Sequence, residues 1–361
     1  MKTKKVVALG AALGVAISGA AIAFPAAAEP VSNSYVLVGS DTLQDSTNAL
    51  INGTSITGTT VRVTSANTTL GSFDAFGSAL IQTKTGGPYF QRPAGSGAGV
   101  TALRASITGA SYGTPAKTIT GQVDIARSSS GPGANASSTG LLSYIPYARD
   151  AVSFAYKGGT SAWATLDAAT LKQVYECTLT TIDGVAVTPR LPQNGSGTRS
   201  FFLSAIGVST PGSCTNAAAS TLPENDASVL GTGEIIPFSV ASWVAQANGA
   251  TPSNTTTTSG VALGSAVSGQ VPYTGSGSSL VPSSGYYANS TFGRDTYLVV
   301  EYARINSSDP KYDAKLAALV STSGNSLINF GSLFTTPGAV KSKYGFLAPS
   351  TTVPQRAFNT L

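Results

Sequence analysis

The residues with the clearest chemical use are Asn194-Gly195-Ser196-Gly197-Thr198-Arg199, followed at once by the apolar run Phe201-Phe202-Leu203. Two glycines let a backbone turn tightly and bring its N–H groups close to a ligand. Ser196 is placed to cap a helix on which Phe201, Phe202 and Ile206 recur at helical spacing. Amide donors, hydroxyls and a guanidinium then gather at the positive end of that helix. Such a site holds an anion without bulk positive charge. A lone glycine-rich turn can equally do nothing more than start a helix, so the rest of the chain must decide.

Two further turns have the same character. Tyr35-Val36-Leu37-Val38-Gly39 reads as a buried strand that ends in Ser40-Asp41-Thr42, a capping sequence for a helix carrying Leu43, Thr47, Leu50 and Ile51. Gly95-Ser96-Gly97-Ala98-Gly99-Val100 opens a second helix through Leu103 and Ile107. Val123-Asp124-Ile125-Ala126 is strand-like and runs into Arg127-Ser128-Ser129-Ser130. Residues 145–156 form a long extended segment, Asp167 caps a helix bearing Leu171, Val174 and Tyr175, and residues 235–237 precede a helix near 240–247. Residues 297–302 read as a strand, and 315–320 and 326–330 as helical. The Ser/Thr/Gly-rich stretch 248–290 reads as loops, Val61–Val63 as a strand, and residues 64–94 as loops and short pieces. Trp163, Trp243, Tyr286 and Tyr287 read as packing residues. Strands alternating with helices predict an α/β chain with mainly parallel sheets, whose ligands lie at the carboxyl ends of the strands.

Composition narrows the chemistry. The 361 residues include 21 Lys and Arg, 16 Asp and Glu, and no histidine. Three of the basic residues, Lys2, Lys4 and Lys5, precede an apolar run and an Ala26-Ala27-Ala28 cleavage pattern, which together read as a secretory signal peptide over residues 1–28. The exported chain beginning at Glu29 is then close to neutral, carries no basic run, and has no nucleic-acid footprint. It should be extracellular, with no cysteine at the cleavage site for a lipid anchor. Cys177 and Cys214 are the only cysteines, and an oxidising compartment predicts one disulfide between them. Without histidine or a carboxylate cluster, neither a metal site nor a cofactor is expected, and Ser196 has no neighbouring base that would make it a nucleophile.

In this order the motifs resemble those of the phosphate-binding proteins that serve high-affinity ABC transporters, which have the type 2 periplasmic-binding fold. Gly39-Ser40-Asp41-Thr42-Leu43 is similar to that family's Gly-x-x-Thr-Phe turn, and Gly95–Val100 to its Gly-Ser-Ser/Gly-Gly-x turn. Val123–Ser129 resembles its Val-Asp-Phe-Gly-Ala-Ser-Asp strand end, and Asn194–Thr198 its Asp-Gly-Ser-Gly-Thr, the most specific of the four. The resemblance implies a two-lobed α/β clamp, each lobe a mainly parallel sheet flanked by helices. Residues 29–145 with 300–361 form one lobe and 146–299 an inserted second, joined by a two-strand hinge near 144–156 and 294–302. It also implies an oxyanion set of Ser40, Asp41, Thr42, Leu43, Ser96, Gly97, Ser128, Ser129, Gly195, Ser196, Gly197 and Thr198. Arg127, Arg149 and Arg199 are the candidate guanidiniums.

The family's proton-accepting Asp falls on Ser129, the Asp before Gly-Ser-Gly-Thr on Asn194, and an Arg two residues earlier on Pro192, with Arg190 displaced. The functional expectation is a monomeric solute-binding protein for phosphate or a similar oxyanion, with an ABC transporter permease as a further partner. The competing classes are a surface or adhesion module that keeps the fold without its ligand, and a phosphatase-like enzyme.

Overall fold

The computed structural model describes residues 35–66, 68–331, 333 and 335–358. The predicted signal peptide lies outside them. Nine strands form one mixed sheet: β1 (Tyr35–Gly39), β2 (Leu70–Ser72), β3 (Ile125–Ser128), β4 (Leu142–Lys157), β5 (Thr188–Pro189), β6 (Glu234–Ser239), β7 (Val261–Gly264), β8 (Gly293–Glu301) and β9 (Gln355–Ala357). Its path runs β5-β6-β4-β8-β3-β1-β2, with β7 and β9 also paired to β4. Parallel ladders form both ends of this path, β2-β1-β3 at one and β5-β6 at the other. Between them β4 and β8 run antiparallel over most of their length. The sheet slips register between Pro146 and Ala148. Proline has no N–H to give the ladder, so it is tolerated where a bulge already breaks the pairing.

Period-two alternation explains the cores around β1. Leu37, Ile125, Leu298 and Val300 pack on one face with Leu50. Their neighbours Val36, Val38, Ala126 and Val299 pack on the other with Phe90 and Leu103. Both faces are therefore covered, which is why these strands read as continuous apolar runs. A separate core gathers Phe154, Trp163, Tyr175, Phe202, Phe238 and Tyr286. The four aromatics assigned to packing from the sequence are all buried.

The helices that matter to the site are α1 (Gln44–Asn52), α2 (Ser96–Thr108), α3 (Ala168–Tyr175), α4 (Gly197–Ala205) and α5 (Val240–Ala247). Asp167 and Ser196 cap α3 and α4 as expected, accepting from Thr170 and Arg199 N–H respectively. Three local expectations need correction. Residues 326–330 are bends rather than a helix, held by Leu327 N–H to Leu319 O and Asn329 N–H to Ser326 Oγ. The 248–290 stretch contains β7, a hairpin of Tyr273–Thr274 with Val281–Pro282, and a short helix at Ser284–Ala288. The strand expected at Val61–Val63 is the Thr59–Val61 arm of a hairpin with Thr54–Ile56.

Cys177 and Cys214 are bonded, with Cα atoms 6.0 Å apart. They close a loop containing α4 across a sequence separation of 37 residues. Reduction should lower the unfolding free energy by about 3–4 kcal/mol through the freed loop entropy of the denatured chain. Urea titrations with and without reductant measure this directly.

Candidate functional site

Three helix starts meet at the carboxyl ends of β1 and β3. Two of the glycine turns touch backbone to backbone: Gly97 N–H donates to Gly195 O at 3.1 Å. The Ser96 and Ser129 hydroxyls lie 3.1 Å apart, and Ser129 N–H donates to Ser96 Oγ at 3.0 Å. Gly197 sits directly against both, because a Cβ there would overlap the two hydroxyl oxygens.

Thr42 and Thr198 converge on one carboxylate oxygen. Their hydroxyls donate to Glu224 Oε2 at 3.4 and 3.1 Å. The Thr198 oxygen in turn accepts from Arg294 Nη2 at 3.0 Å, and the Thr42 oxygen from Asn225 Nδ2 at 3.2 Å. Asn225 Nδ2 also reaches Asp41 Oδ2 at 3.3 Å. Arg294 is held by Asp150, whose Oδ2 accepts from Nη2 at 2.8 Å and Nε at 3.1 Å. Ser239 Oγ and Ala241 N–H complete the shell of Asp150. The ion pair is almost fully buried, and Arg294 stacks over the Phe201 ring. Arg294 Nη1, Glu224 Oε1, Asp41 Oδ1 and Ser40 Oγ are buried without a hydrogen-bond partner. A buried polar atom left over in this way is a group that a ligand can still engage.

The structure thus brings together Asp41, Thr42, Ser96, Gly97, Ser129, Gly195, Gly197 and Thr198. It turns the three candidate arginines elsewhere, which corrects the expectation for each. Arg127 is buried and donates to Ser40 O, Ser72 Oγ and Phe73 O, so it ties β1 to the segment after β2. Arg149 bonds Tyr287 O and Asp295, and Arg199 bonds Pro192 O and Ala217 O. Ser128 closes its own turn onto Ser130 O. Ser196 Oγ accepts the Arg199 N–H as a helix cap, which leaves its own O–H to donate. At α1 the cap residue is Leu43, with no side-chain cap. Asp41 contributes only its carbonyl, to Gln44 N–H, which leaves its carboxyl for the cleft.

Four residues of the cluster escaped the sequence reading: Asp150, Glu224, Asn225 and Arg294. Asp150 and Arg294 carried a usable signal, since each is a charge within a mostly buried strand, beside Arg149 and Asp295, which form a second such pair. Opposite charges at paired positions of a buried ladder must neutralise one another. Glu224 and Asn225 sit in an irregular loop, and no local pattern marks them.

Burial, and then the charge of Glu224 beside it, pushes the Asp41 carboxyl well above the usual range. Asp45, one turn along α1, is pushed up to about 6 by burial and Asp74. A carboxyl with a raised folded-state value binds protons that the unfolded chain has already released. Its stabilising contribution therefore falls as pH rises from 3.8 to about 6 and is level above that. Asp45→Asn should accordingly gain stability relative to wild type between pH 4 and pH 7, as read from urea midpoints at the two values.

No family model and no curated protein sequence matches the chain. Its fold is that of the two-lobed α/β solute-binding proteins. A phosphate ABC transporter substrate-binding protein from Clostridium perfringens, solved with bound phosphate, superimposes with a TM-score of 0.52 at 11% identity, covering 88% of this chain and 99% of its own. A phosphate-binding protein from Stenotrophomonas maltophilia gives a TM-score of 0.51 at 12% identity over 88% of this chain and 91% of its own. At these identities the likeness is one of fold.

Proposed function

We propose that this chain is an exported solute-binding protein that clamps a protonated oxyanion, phosphate foremost, between two lobes. One lobe comprises residues 29–145 with 300–361, the other residues 146–299, and β4 and β8 form the hinge between them. The observation that carries the reading is the convergence of Thr42 and Thr198 on a single negatively charged oxygen beside a buried arginine with a spare N–H. The cradle is already organised around an anion, and the chain's own Glu224 supplies it. A ligand oxygen taking that place would meet the same two hydroxyls and Arg294. Asp41 and Glu224 then stand where a ligand proton can be accepted, a role the sequence left empty at Ser129. Hydrogen phosphate has such a proton and sulfate does not, so sulfate would face an uncompensated acceptor. Delivery to an ABC transporter permease follows from this reading. Hydrolysis does not, because the buried hydroxyls are committed to one another and Ser196 to its helix.

The test is calorimetric titration of the anion-stripped protein with phosphate and then sulfate. Phosphate should bind and sulfate should bind roughly 100-fold more weakly, the scale set by one unpaired buried acceptor. Equal binding would remove the proton-reading role of Asp41 and Glu224. Silence with both would favour the rival reading, a surface module in which Glu224 permanently fills the cradle.

A further inference from the structure

Beside the cradle, and sharing Thr42 and Glu224 with it, lies a cavity of 310 Å³ that opens to solvent. Its charged lining is of one sign. Asp41, Asp45, Glu224 and Asp226 all face it, and among the described residues no lysine or arginine does. Three aromatic residues, Phe76, Tyr344 and Phe346, also line it. A cavity for a bare anion would not be built this way, since an acidic wall repels it. Carboxylates and aromatic faces together are the surroundings of an ammonium group. A second observation points to an occupant independently of the charge count. Glu224 is only 3% exposed, and the one group against its Oε1 is the Asp41 carboxyl, another acid. Asp41 Oδ1 is likewise buried. Both oxygens belong to residues that line the cavity, where a positively charged donor would take the place of a proton held between the two carboxyls.

We propose that the cavity receives an organic ammonium group and that the ligand of this protein is a phosphorylated amine. Its phosphoryl end would lie in the cradle and its ammonium against Glu224, Asp41 and Asp45. This rests on the oxyanion reading for its phosphoryl half only. Free aminoalkyl phosphates and the headgroup of an aminophospholipid share this chemistry. The free monoester fits better, because it retains an ionisable P–OH for the Asp41–Glu224 pair, which a lipid diester lacks.

The experiment is calorimetry at constant pH with phosphate, ethanolamine and phosphoethanolamine as separate titrants, on wild type, Asp45→Asn and Asp226→Asn. Phosphoethanolamine should bind roughly tenfold or more tightly than phosphate, the gain from one added charged contact in a partly buried site. Both variants should lose most of that gain while keeping the phosphate affinity of wild type. Co-sedimentation with phosphatidylethanolamine vesicles separates the two sources: retention on the vesicles would assign the ligand to the lipid headgroup, and its absence to the free compound. Phosphate binding as tightly as phosphoethanolamine would overturn the proposal and leave the cradle standing. Ethanolamine binding while phosphate does not would keep the ammonium site and overturn the cradle. Silence with all three titrants would overturn both.

Discussion

An Arg294→Met protein should unfold with about 3–5 kcal/mol less free energy than wild type and should bind no phosphate. Both effects have one cause. Asp150 is fully buried and accepts from Arg294, from Ser239 Oγ and from Ala241 N–H. Without the guanidinium it becomes an uncompensated charge in a medium that solvates it poorly. Thr198 loses the donor that orients its hydroxyl toward Glu224, so the cradle is damaged as well. The double variant Arg294→Met with Asp150→Leu separates the two consequences. Replacing both partners with apolar groups should return much of the stability, because the desolvated charge is gone. It should not return binding. Urea titration reads the first quantity and calorimetry the second. Phosphate binding by the double variant would show that Arg294 serves only the fold.

The second large effect is expected at Gly95, where the backbone has φ of +101° and a Cβ would come within 2.6 Å of Gly195 O. The obstacle is backbone and cannot rotate away. Gly95→Ala is therefore strained twice, in its own conformation and against the facing turn. Overpacking of this kind costs about 1–3 kcal/mol. Most of that cost falls on the arrangement in which the two turns touch, since the contact vanishes when they part. Anion affinity should fall by roughly 5- to 150-fold, the same energy expressed in the binding constant. Small-angle scattering with saturating phosphate should show a larger radius of gyration than wild type. A variant as compact as wild type, with unchanged affinity, would show that the 95 and 195 turns do not meet during binding.

How much of this was legible in the sequence depended on whether the signal was local. The α3 and α4 caps at Asp167 and Ser196 follow from side chains acting within three residues of themselves. The strand at Tyr35–Gly39 follows from burial on both faces, and the glycine turns from backbone freedom. These were readable because the cause and its effect sit in one stretch of chain. Arg127 was misread for the opposite reason. Its place inside a glycine- and serine-rich motif suggested a ligand contact, but its guanidinium turns back to bond two backbone carbonyls and Ser72. The guanidinium that does enter the cluster, Arg294, lies 96 positions from the Thr198 it contacts. Glu224 meets Thr42 across 182 positions, from a loop with no periodicity of its own. Such pairings are fixed by how the long β4 and β8 strands carry the chain across the sheet.

The position of Asp41 has a consequence for proton balance. Its carboxyl is held well above the usual carboxylate range because it is enclosed and because Glu224 is close. On the proposed division into lobes, Glu224 travels with residues 146–299 and Asp41 with the other lobe. Parting the lobes would return Asp41 to water and remove its negative neighbour in one movement, and its carboxyl would fall back toward the ordinary range. Opening the cleft on this account favours acid dissociation at Asp41, and closing it favours proton uptake.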